Sequence, residues 1–358
     1  MAKVCFILNS FEIGGIERVV VSLANALSKY HKIDLFVLKN RGVLKSTLSS
    51  DVNVISYDNL KVKSSLKYLS AYLKNNNPKY LVTSIYLISI IGHFAIKKAH
   101  AETKQIVVHH ALLDSEFTHS VFNPILLKFV SIIYNKAYKV LAVSKGVYEC
   151  LKKIGVKNVE VMYNPIDIEE KEKNVDFEIK NAVELKPYFL FLGRLCQVKN
   201  IKLIIKGFYE YLQTHPLSVH KLVIIGSGPD EQKLKTLVND LKINDRCLFL
   251  GTKGYPEAYL KNAELVLMAS YSEAMPVTVM EAFAFNVPVV STPARGCIDI
   301  FDLIDFKYHT NSFEDETEYC KLMETLISKR AELSYLSTKV KEYYSTDIIV
   351  KKWNSILQ

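Results

Sequence analysis

Short apolar runs alternate with longer amphipathic stretches along most of the chain. The runs have the length of buried strands and lie at 4–8, 33–38, 52–56, 105–108, 139–143, 188–192, 221–225, 247–252 and 263–270. Between them, apolar residues recur at helical spacing, as in 18–27, 61–74 and 201–208. This alternation of strands and helices predicts an α/β protein with parallel sheets.

The stretch 271–290 completes one such α/β unit after the strand at 263–270. Pro276 suits the first turn of a helix, because the N–H that proline lacks would have no partner there. Asn286 stands where a C-terminal cap belongs, and the next strand begins at Pro288. The helix therefore starts at the carboxyl edge of a parallel sheet, where ligands bind and free N–H groups favour a phosphate.

Two carboxylates belong to this unit. Glu273 precedes the helix, and Glu281 lies about a turn and a half within it. Carboxylates bind sugars and riboses by accepting hydrogen bonds from neighbouring hydroxyls, so the pair suits a nucleotide-sugar. The alternative is structural, with Glu273 as a charge favoured by the helix dipole and Glu281 on a solvated helix face.

A further phosphate signal follows the strand at 188–192. Gly193 and Arg194 come directly after the strand, and Lys199 precedes the helix that begins at 201. Two cations and free N–H groups then converge on one helix start, which is the arrangement that diphosphate binding requires. The alternative is a pair of surface cations.

Two glycine-containing loops also follow predicted strands. Gly14 and Gly15 precede the helix at 18–27 and let backbone N–H groups approach a ligand closely, although such a pair is also typical of a simple turn. Gly226 and Gly228 follow a strand in the second half, but the third glycine of a dinucleotide fingerprint is missing. A nicotinamide site is therefore not expected.

A histidine pair ends the strand at 105–108. His109 and His110 lie where α/β enzymes place functional groups, and the alternative is an ordinary loop histidine. The strand length favours His110 as the residue that faces the ligand, with His109 next. No third ligand accompanies them, so we expect no metal site.

Composition narrows the class of protein. The chain has 358 residues, 49% hydrophobic and 23% charged, which predicts two or three globular domains. Its six scattered cysteines indicate reduced thiols in a cytosolic protein. The net charge of +9 lacks any accompanying nucleic-acid-binding motif, so we expect no nucleic acid partner. An anionic membrane face or a phosphorylated substrate explains the excess as well.

Two stretches bear on membranes. The run 80–96 contains polar residues and breaks after strand length, so it predicts a strand and a buried helix rather than a membrane span. The first residues, 1–9, are too short an apolar run for a signal peptide and predict a first strand. The helix at 61–74 carries four lysines and is either a solvated face or a basic, tyrosine-bearing face that touches an anionic bilayer.

The two phosphate signals also carry a family resemblance. Glu-Ala-Met-Pro-X4-Glu-Ala-Phe-Ala at 273–284, and Gly-Arg-X4-Lys-Asn at 193–200, resemble the signatures of retaining GT-B glycosyltransferases of family 4. That family usually has glycine where this chain has Asn286, and Asp299 stands where it commonly has glutamate. The resemblance covers nearly the whole chain.

The resemblance implies the GT-B architecture, in which two Rossmann-like domains face each other across a cleft. We expect an acceptor-side domain over 1–168 and a charged linker over 169–186, for which a short exposed helix is the alternative. A donor-binding domain follows over 187–340, and a helix over 341–358 crosses back to the first domain, where Trp353 packs.

The resemblance also implies roles for single residues. The expected catalytic residues are His110, His109, Arg194, Lys199 and Glu273. The expected donor-binding residues are Gly14, Gly15, Gly193, Arg194, Lys199, Gly228, Glu273, Ala274, Met275, Pro276, Val277 and Glu281. Arg194 and Lys199 would hold the donor diphosphate, Glu281 the ribose and Glu273 the donor sugar.

The resulting hypothesis is a retaining glycosyltransferase that needs no metal ion or other cofactor. It would move a sugar from a nucleotide-sugar, a UDP-sugar by family habit, to a glycan or lipid-linked acceptor in bacterial surface polysaccharide, lipopolysaccharide or glycoconjugate synthesis. We expect it on the cytoplasmic face of the membrane. The alternatives are a nucleotide-sugar epimerase on the same fold and a non-catalytic, transferase-like accessory subunit.

Overall fold

The computed structural model describes residues 1–12, 14–112 and 124–358. The chain separates into two compact units. The first comprises Met1–Pro165 and Thr346–Gln358, and the second comprises Ile166–Ser345. Each unit is built around one parallel sheet.

The sheet of the first unit has seven strands in the order β3-β2-β1-β4-β5-β6-β7. Its strands are β1 Lys3–Ser10, β2 Lys32–Lys39, β3 Val52–Ser56, β4 Tyr80–Thr83, β5 Lys104–His109, β6 Lys139–Ala142 and β7 Val159–Val161. All neighbouring strands pair in parallel, and the buried apolar runs of the sequence form their centres. The order reverses between β1 and β4, which is the topological switch point of this sheet.

The helices of the first unit cover both faces of its sheet, as crossover connections require. They are α1 Gly15–Ser28, α2 Ser65–Asn76, α3 Tyr86–Ala99, α4 Pro124–Tyr134, α5 Lys145–Lys153 and, from the end of the chain, α15 Thr346–Ile356. Trp353 on α15 is 1% exposed, and its ring centroid lies 6.1 Å from that of Phe6 on β1. The last helix therefore contributes to the core of the first unit.

The run 80–96 forms β4 and most of α3, so the predicted strand and helix are confirmed. The helix is not buried all round, because Leu87, Phe94 and Lys97 are exposed. Among the described residues, none of the helices has the length and apolar character that crossing a membrane requires.

The second unit contains a five-stranded sheet in the order β10-β9-β8-β11-β12. Its strands are β8 Tyr188–Leu192, β9 Lys221–Ile225, β10 Cys247–Phe249, β11 Leu265–Leu267 and β12 Val289–Val290. Its helices are α6 Ile168–Asn174, α7 Ile179–Glu184, α8 Ile201–Thr214, α9 Glu231–Asp240, α10 Glu257–Asn262, α11 Val277–Ala284, α12 Arg295–Ile304, α13 Glu316–Ser328 and α14 Leu336–Tyr344. The switch point of this sheet lies between β8 and β11.

The charged segment 169–186 is mostly helical rather than an extended linker. Helices α6 and α7, with a single 3-10 turn between them, pack against α10 of the second unit. Asp167 caps α6 by accepting a hydrogen bond from the backbone N–H of Glu170. Ile168, Val175 and Ala182 are buried, so each of these short segments contributes one apolar side chain to the packing of the second unit.

Candidate functional site

The candidate site of the second unit lies at the carboxyl edge of its sheet. Arg194 follows β8, and Glu273 follows β11. Strands β8 and β11 are neighbours at the switch point, so the loops that carry these two residues emerge at the same edge. Open α/β sheets bind ligands at this place.

The loop that carries Arg194 is held by the loop after β9. Gly193 donates its N–H to Ile225 O, and Leu195 donates its N–H to Ser227 O. A Cβ on Gly226 would lie 1.8 Å from Gly193 O, and a Cβ on Gly228 would lie 2.2 Å from Leu195 O. Glycine is therefore required at both positions, because the two backbones approach too closely for any side chain.

Arg194 is exposed, and its guanidinium makes no hydrogen bond or ion pair with the part of the chain that the structure describes. The backbone of the loop that carries Arg194 is held by the hydrogen bonds described above. An unneutralised guanidinium on a fixed loop at the carboxyl edge is suited to binding an anion such as a phosphate.

Lys199 and Glu273 form an ion pair. The ammonium of Lys199 lies 2.5 Å from Glu273 Oε1, which also accepts a hydrogen bond of 2.7 Å from Ser270 Oγ. The backbone of Glu273 is held too, since its carbonyl accepts the N–H of Gly296 at the start of α12. The predicted diphosphate-binding and sugar-binding side chains are therefore adjacent.

Helix α11 begins at Val277, one residue later than predicted. Pro276 is its N-terminal flanking residue, with φ −74° and ψ 108°, rather than a member of the first turn. The difference arises because residues before a helix keep extended backbone until the first intrahelical bond forms. The predicted donor-binding stretch from Ala274 to Val277 remains at the helix N-terminus, and Met275 within it is buried.

Asn286 ends α11 in the left-handed conformation, with φ 55°. Its N–H donates to Phe283 O, and the N–H of Val287 donates to Ala282 O, which confirms the predicted C-terminal cap. The side chain of Asn286 also accepts the N–H of Ser337, so it joins α11 to α14. Asparagine here adds a contact that glycine could not make.

Glu281 is 5% exposed, which excludes the solvated-face alternative. Its Oε1 lies 2.7 Å from Lys171 Nζ, and the same ammonium lies 2.8 Å from Glu257 Oε1. Glu257 is 1% exposed. One lysine thus serves two buried carboxylates, a group that we call the Lys171 triad (Lys171, Glu257 and Glu281).

The sequence interpretation missed Lys171 and Glu257. Lys171 belongs to the charged segment 169–186, and Glu257 belongs to none of the predicted elements. The three members of the triad are separated by 86 and 24 residues along the chain. The sequence does contain one indication that the charged segment is a packed helix: Ile168 and Val175, at helical spacing, are apolar residues before and within the charged run.

In the first unit, Gly14 and Gly15 form the start of α1. Gly14 is extended at the N-terminal flanking position, and a Cβ on Gly15 would meet nothing within 4 Å. The carboxylate of Glu17 lies over Gly14, and burial raises its pKa. The helix start is therefore open at Gly15 and partly covered at Gly14.

The two histidines differ in their surroundings. His109 is the last residue of β5, is 2% exposed, and has its Nδ1 3.1 Å from the hydroxyl of Tyr134. His110 follows the strand, is half-buried, and makes no hydrogen bond with the described residues. Burial lowers the pKa of His109 to about 4, and burial together with His109 lowers the pKa of His110 to about 3. Both rings are neutral at pH 7.

The two doubly wound parallel sheets identify the class of protein by its fold, which is GT-B. Comparison with solved structures agrees. Anabaena HepE in complex with UDP-glucose is similar with a TM-score of 0.84 and 17% identity, covering 100% of this chain and 99% of that one. The lipopolysaccharide outer core galactosyltransferase WaaB is similar with a TM-score of 0.71 and 19% identity, covering 99% and 98%.

Comparison of the sequence with models of protein families identifies the family. The model of glycosyltransferase family 4 matches residues 13–170, and the model of glycosyl transferases group 1 matches residues 172–343. This chain belongs to the group 1/family 4 glycosyltransferases and is a glycosyltransferase.

Two curated relatives are similar over most of their length. One is the N-acetylgalactosamine-N,N'-diacetylbacillosaminyl-diphospho-undecaprenol 4-alpha-N-acetylgalactosaminyltransferase of Campylobacter jejuni, 27% identical, with 84% of each chain covered. The other is the lipopolysaccharide 1,6-galactosyltransferase of Salmonella typhimurium, 24% identical, covering 78% of this chain and 76% of that one.

Proposed function

We propose that the protein is a retaining, metal-independent glycosyltransferase that moves a sugar from a UDP-sugar to a glycan or lipid-linked acceptor. The acceptor would belong to bacterial surface polysaccharide, lipopolysaccharide or glycoconjugate synthesis. The names of the Campylobacter and Salmonella relatives support this acceptor class, and the UDP-glucose complex of HepE supports the donor class.

One observation carries the proposal. Arg194 and Lys199 present two cations at the carboxyl edge of the second sheet, and Glu273 lies against Lys199. In a nucleotide-sugar the diphosphate is bonded directly to the sugar. A cation for the diphosphate beside a carboxylate for the sugar matches that order. Two fixed cations can neutralise a departing diphosphate by electrostatics alone.

The proposed step breaks the bond between the anomeric carbon and the diphosphate oxygen. The acceptor hydroxyl oxygen forms its bond to the anomeric carbon on the same face, and its proton passes to the leaving phosphate oxygen. The charge that develops on the diphosphate lies within reach of Arg194 and Lys199. No separate nucleophile from the protein is needed in this front-face transfer.

The remaining residues would position the donor. Glu281, oriented by Lys171, would accept hydrogen bonds from the ribose hydroxyls, and Glu273 would accept them from the sugar. His110 would donate an N–H to the sugar or phosphate, because it is neutral and makes no other hydrogen bond among the described residues. His109 would support it, since its ring is committed to Tyr134.

Backbone N–H groups would complete the phosphate site. Those of Val277 and Thr278 open α11 and have no intrahelical acceptor, as at any helix N-terminus, so they would donate to the diphosphate. Those of Gly14 and Gly15 would act in the same way when the donor is bound and the domains close.

We also propose that the protein associates peripherally with the cytoplasmic face of the membrane. Lysines 61, 63, 67 and 74 on and before α2 are exposed, and Tyr68 beside them is 41% exposed. A basic face of this kind is attracted to anionic lipid. Charge reversal at Lys67 and Lys74 should reduce sedimentation with phosphatidylglycerol vesicles, and unchanged sedimentation would contradict the proposal.

The first experiment is a thermal-shift panel of UDP, GDP, ADP and CMP with EDTA present. UDP should raise the Tm of the wild-type protein by several degrees, following the linkage of binding to stability. The shift should disappear in Lys199→Ala and persist in Lys202→Ala, an exposed lysine on the same helix start. No shift with any nucleotide would favour a non-catalytic subunit.

The mechanism needs a separate measurement. Proton NMR of the product formed in EDTA should show the anomeric configuration of the donor. Loss of turnover in EDTA, or an inverted product, would overturn metal independence or retention respectively. Interconversion of the donor without acceptor would indicate an epimerase.

A further inference from the structure

A cavity of about 280 Å³ lies at the amino edge of the first sheet. Lys104 begins β5 there, and Lys136 and Tyr138 precede β6. Strand β5 ends at His109, five residues further along, so the cavity and the histidine pair are about 16 Å apart. This cavity is therefore separate from the carboxyl edge to which the transfer chemistry is assigned.

The cavity is basic. The ammonium groups of Lys97, Lys104 and Lys136 belong to its lining, and no carboxylate is among the described residues that line it. None of the three lysines forms an ion pair within the described ranges, and Lys104 lies 4.7 Å from the ring centroid of Tyr138. Three unneutralised cations around one concave surface create a positive potential that attracts an anion.

A buried histidine also lines this cavity. His93 is 8% exposed, and its Nε2 has no hydrogen-bond partner in the described part of the chain. Burial, Lys97 and Lys136 lower the pKa of His93, so the ring is neutral and can offer an N–H. Buried polar atoms are nearly always paired, and an orphaned one calls for a partner from outside the protein.

Gln105 adds an acceptor. Its Nε2 donates to Ser89 O at 2.8 Å, which leaves Oε1 buried and without a partner in the same described residues. A ligand for this cavity must therefore carry negative charge for the lysines, an acceptor oxygen for His93 and an O–H for Gln105. A phosphate group with a protonated oxygen or a neighbouring hydroxyl has all three.

Two exposed apolar side chains lie close in sequence to the cavity lysines. Phe94 is 41% exposed and lies one helical turn before Lys97, and Ile132 is 46% exposed and lies four residues before Lys136. Apolar side chains beside unpaired lysines are typical of surfaces that meet lipid headgroups.

We propose that this cavity is a binding site for a phosphate group, supplied either by an anionic phospholipid headgroup or by a soluble phosphorylated molecule. The site goes beyond the proposed transfer reaction and does not depend on it. Its occupant would anchor or regulate the first unit from the edge opposite the histidine pair.

The test uses the full chain and two double variants of equal charge change. Lys97→Ala/Lys136→Ala removes two cavity lysines, and Lys29→Ala/Lys32→Ala removes two exposed lysines of the same unit that do not line the cavity. All four side chains reach solvent or an open cavity, so both variants should keep the wild-type Tm within about 2 °C.

In the first arm, calorimetric titration with inorganic phosphate and with glycerol phosphate is performed at pH 7 and low ionic strength. In the second arm, sedimentation is measured with phosphatidylcholine vesicles that contain 30% phosphatidylglycerol, by analogy with anionic leaflets. We expect at least tenfold weaker binding for the cavity variant in one arm or both, and less than twofold weaker binding for the control variant.

A difference in the first arm assigns the site to soluble phosphates, and a difference confined to the second assigns it to headgroups. Equal behaviour of the two variants in both arms would overturn the proposal. His93→Gln, which keeps an N–H donor, should retain more phosphate affinity than His93→Leu, and equal loss would exclude a role for the ring.

Discussion

The two units have the same kind of doubly wound parallel sheet but carry different chemistry at its carboxyl edge. The second unit has charges there: Arg194, which has no ion-pair partner among the described residues, Lys199 paired with Glu273, and the Lys171 triad. The first has an open helix start at Gly15 and two neutral histidines. Topology therefore locates a site, and side chains at the strand ends decide what it can bind.

Substitutions at the charged edge of the second unit should reduce the transfer rate more than substitutions at the carboxyl edge of the first. Arg194→Ala should lower the transfer rate by roughly 100-fold to 1000-fold, the range for removing one fixed group that stabilises developing charge. Its Tm should stay at the wild-type value, because Arg194 is exposed and its guanidinium makes no hydrogen bond or ion pair with the described residues. Lys202→Ala serves as the control, and a rate for Arg194→Ala within tenfold of wild type would contradict the assignment.

The Lys171 triad tests whether the charged edge is also structural. Lys171→Met should destabilise the second unit by about 3–5 kcal/mol, because two buried carboxylates lose the cation that they share. Lys173→Met, on the exposed side of the same helix, should leave urea unfolding unchanged.

Adding Glu257→Gln to Lys171→Met should recover part of the lost stability, because one buried charge is then removed. If Lys171→Met unfolds at the wild-type urea concentration, the triad is not a source of stability.

Gly226 tests whether the close packing of the two loops beneath Arg194 contributes to stability. Gly226→Ala should cost about 1–3 kcal/mol, since its Cβ would overlap Gly193 O and its φ of +139° disfavours other residues. Gly254→Ala is the matched change, because a Cβ there meets nothing within 4 Å. Equal melting temperatures for the two variants would show that the loops can separate without cost.

The neutral edge should respond to pH. Both histidines have a folded pKa below the ordinary value of about 6.5, so the unfolded chain binds their protons first as pH falls. Their contribution to stability is complete above pH 6.5 and is lost as pH falls toward 4 and then 3.

Urea unfolding from pH 7.5 to 4.5 measures the slope of the unfolding free energy against pH. In His110→Gln this slope should correspond to up to one bound proton fewer. It should not change in His100→Asn, where the ring is exposed. An unchanged slope in His110→Gln would mean that the imidazole is accessible to protons in the folded state.

Strands such as Tyr188–Leu192 and Lys221–Ile225 were predictable because each is a short apolar run that is buried on both faces. The cap at Asn286 was predictable for a local reason, the tolerance of asparagine for positive φ. The charged segment was not, because Ile168, Val175 and Ala182 are too few to give a clear helical period.

The sequence by itself determined the α/β architecture, the loops at the strand ends and the family, because these depend on local patterns and short motifs. Only the tertiary structure decided that Lys171 pairs with Glu281, that Gly226 supports the Arg194 loop, and that His93 faces a basic cavity. Each of these contacts joins residues that are distant along the chain. Local spacing carries no information about such pairs, which exist only once each unit has folded.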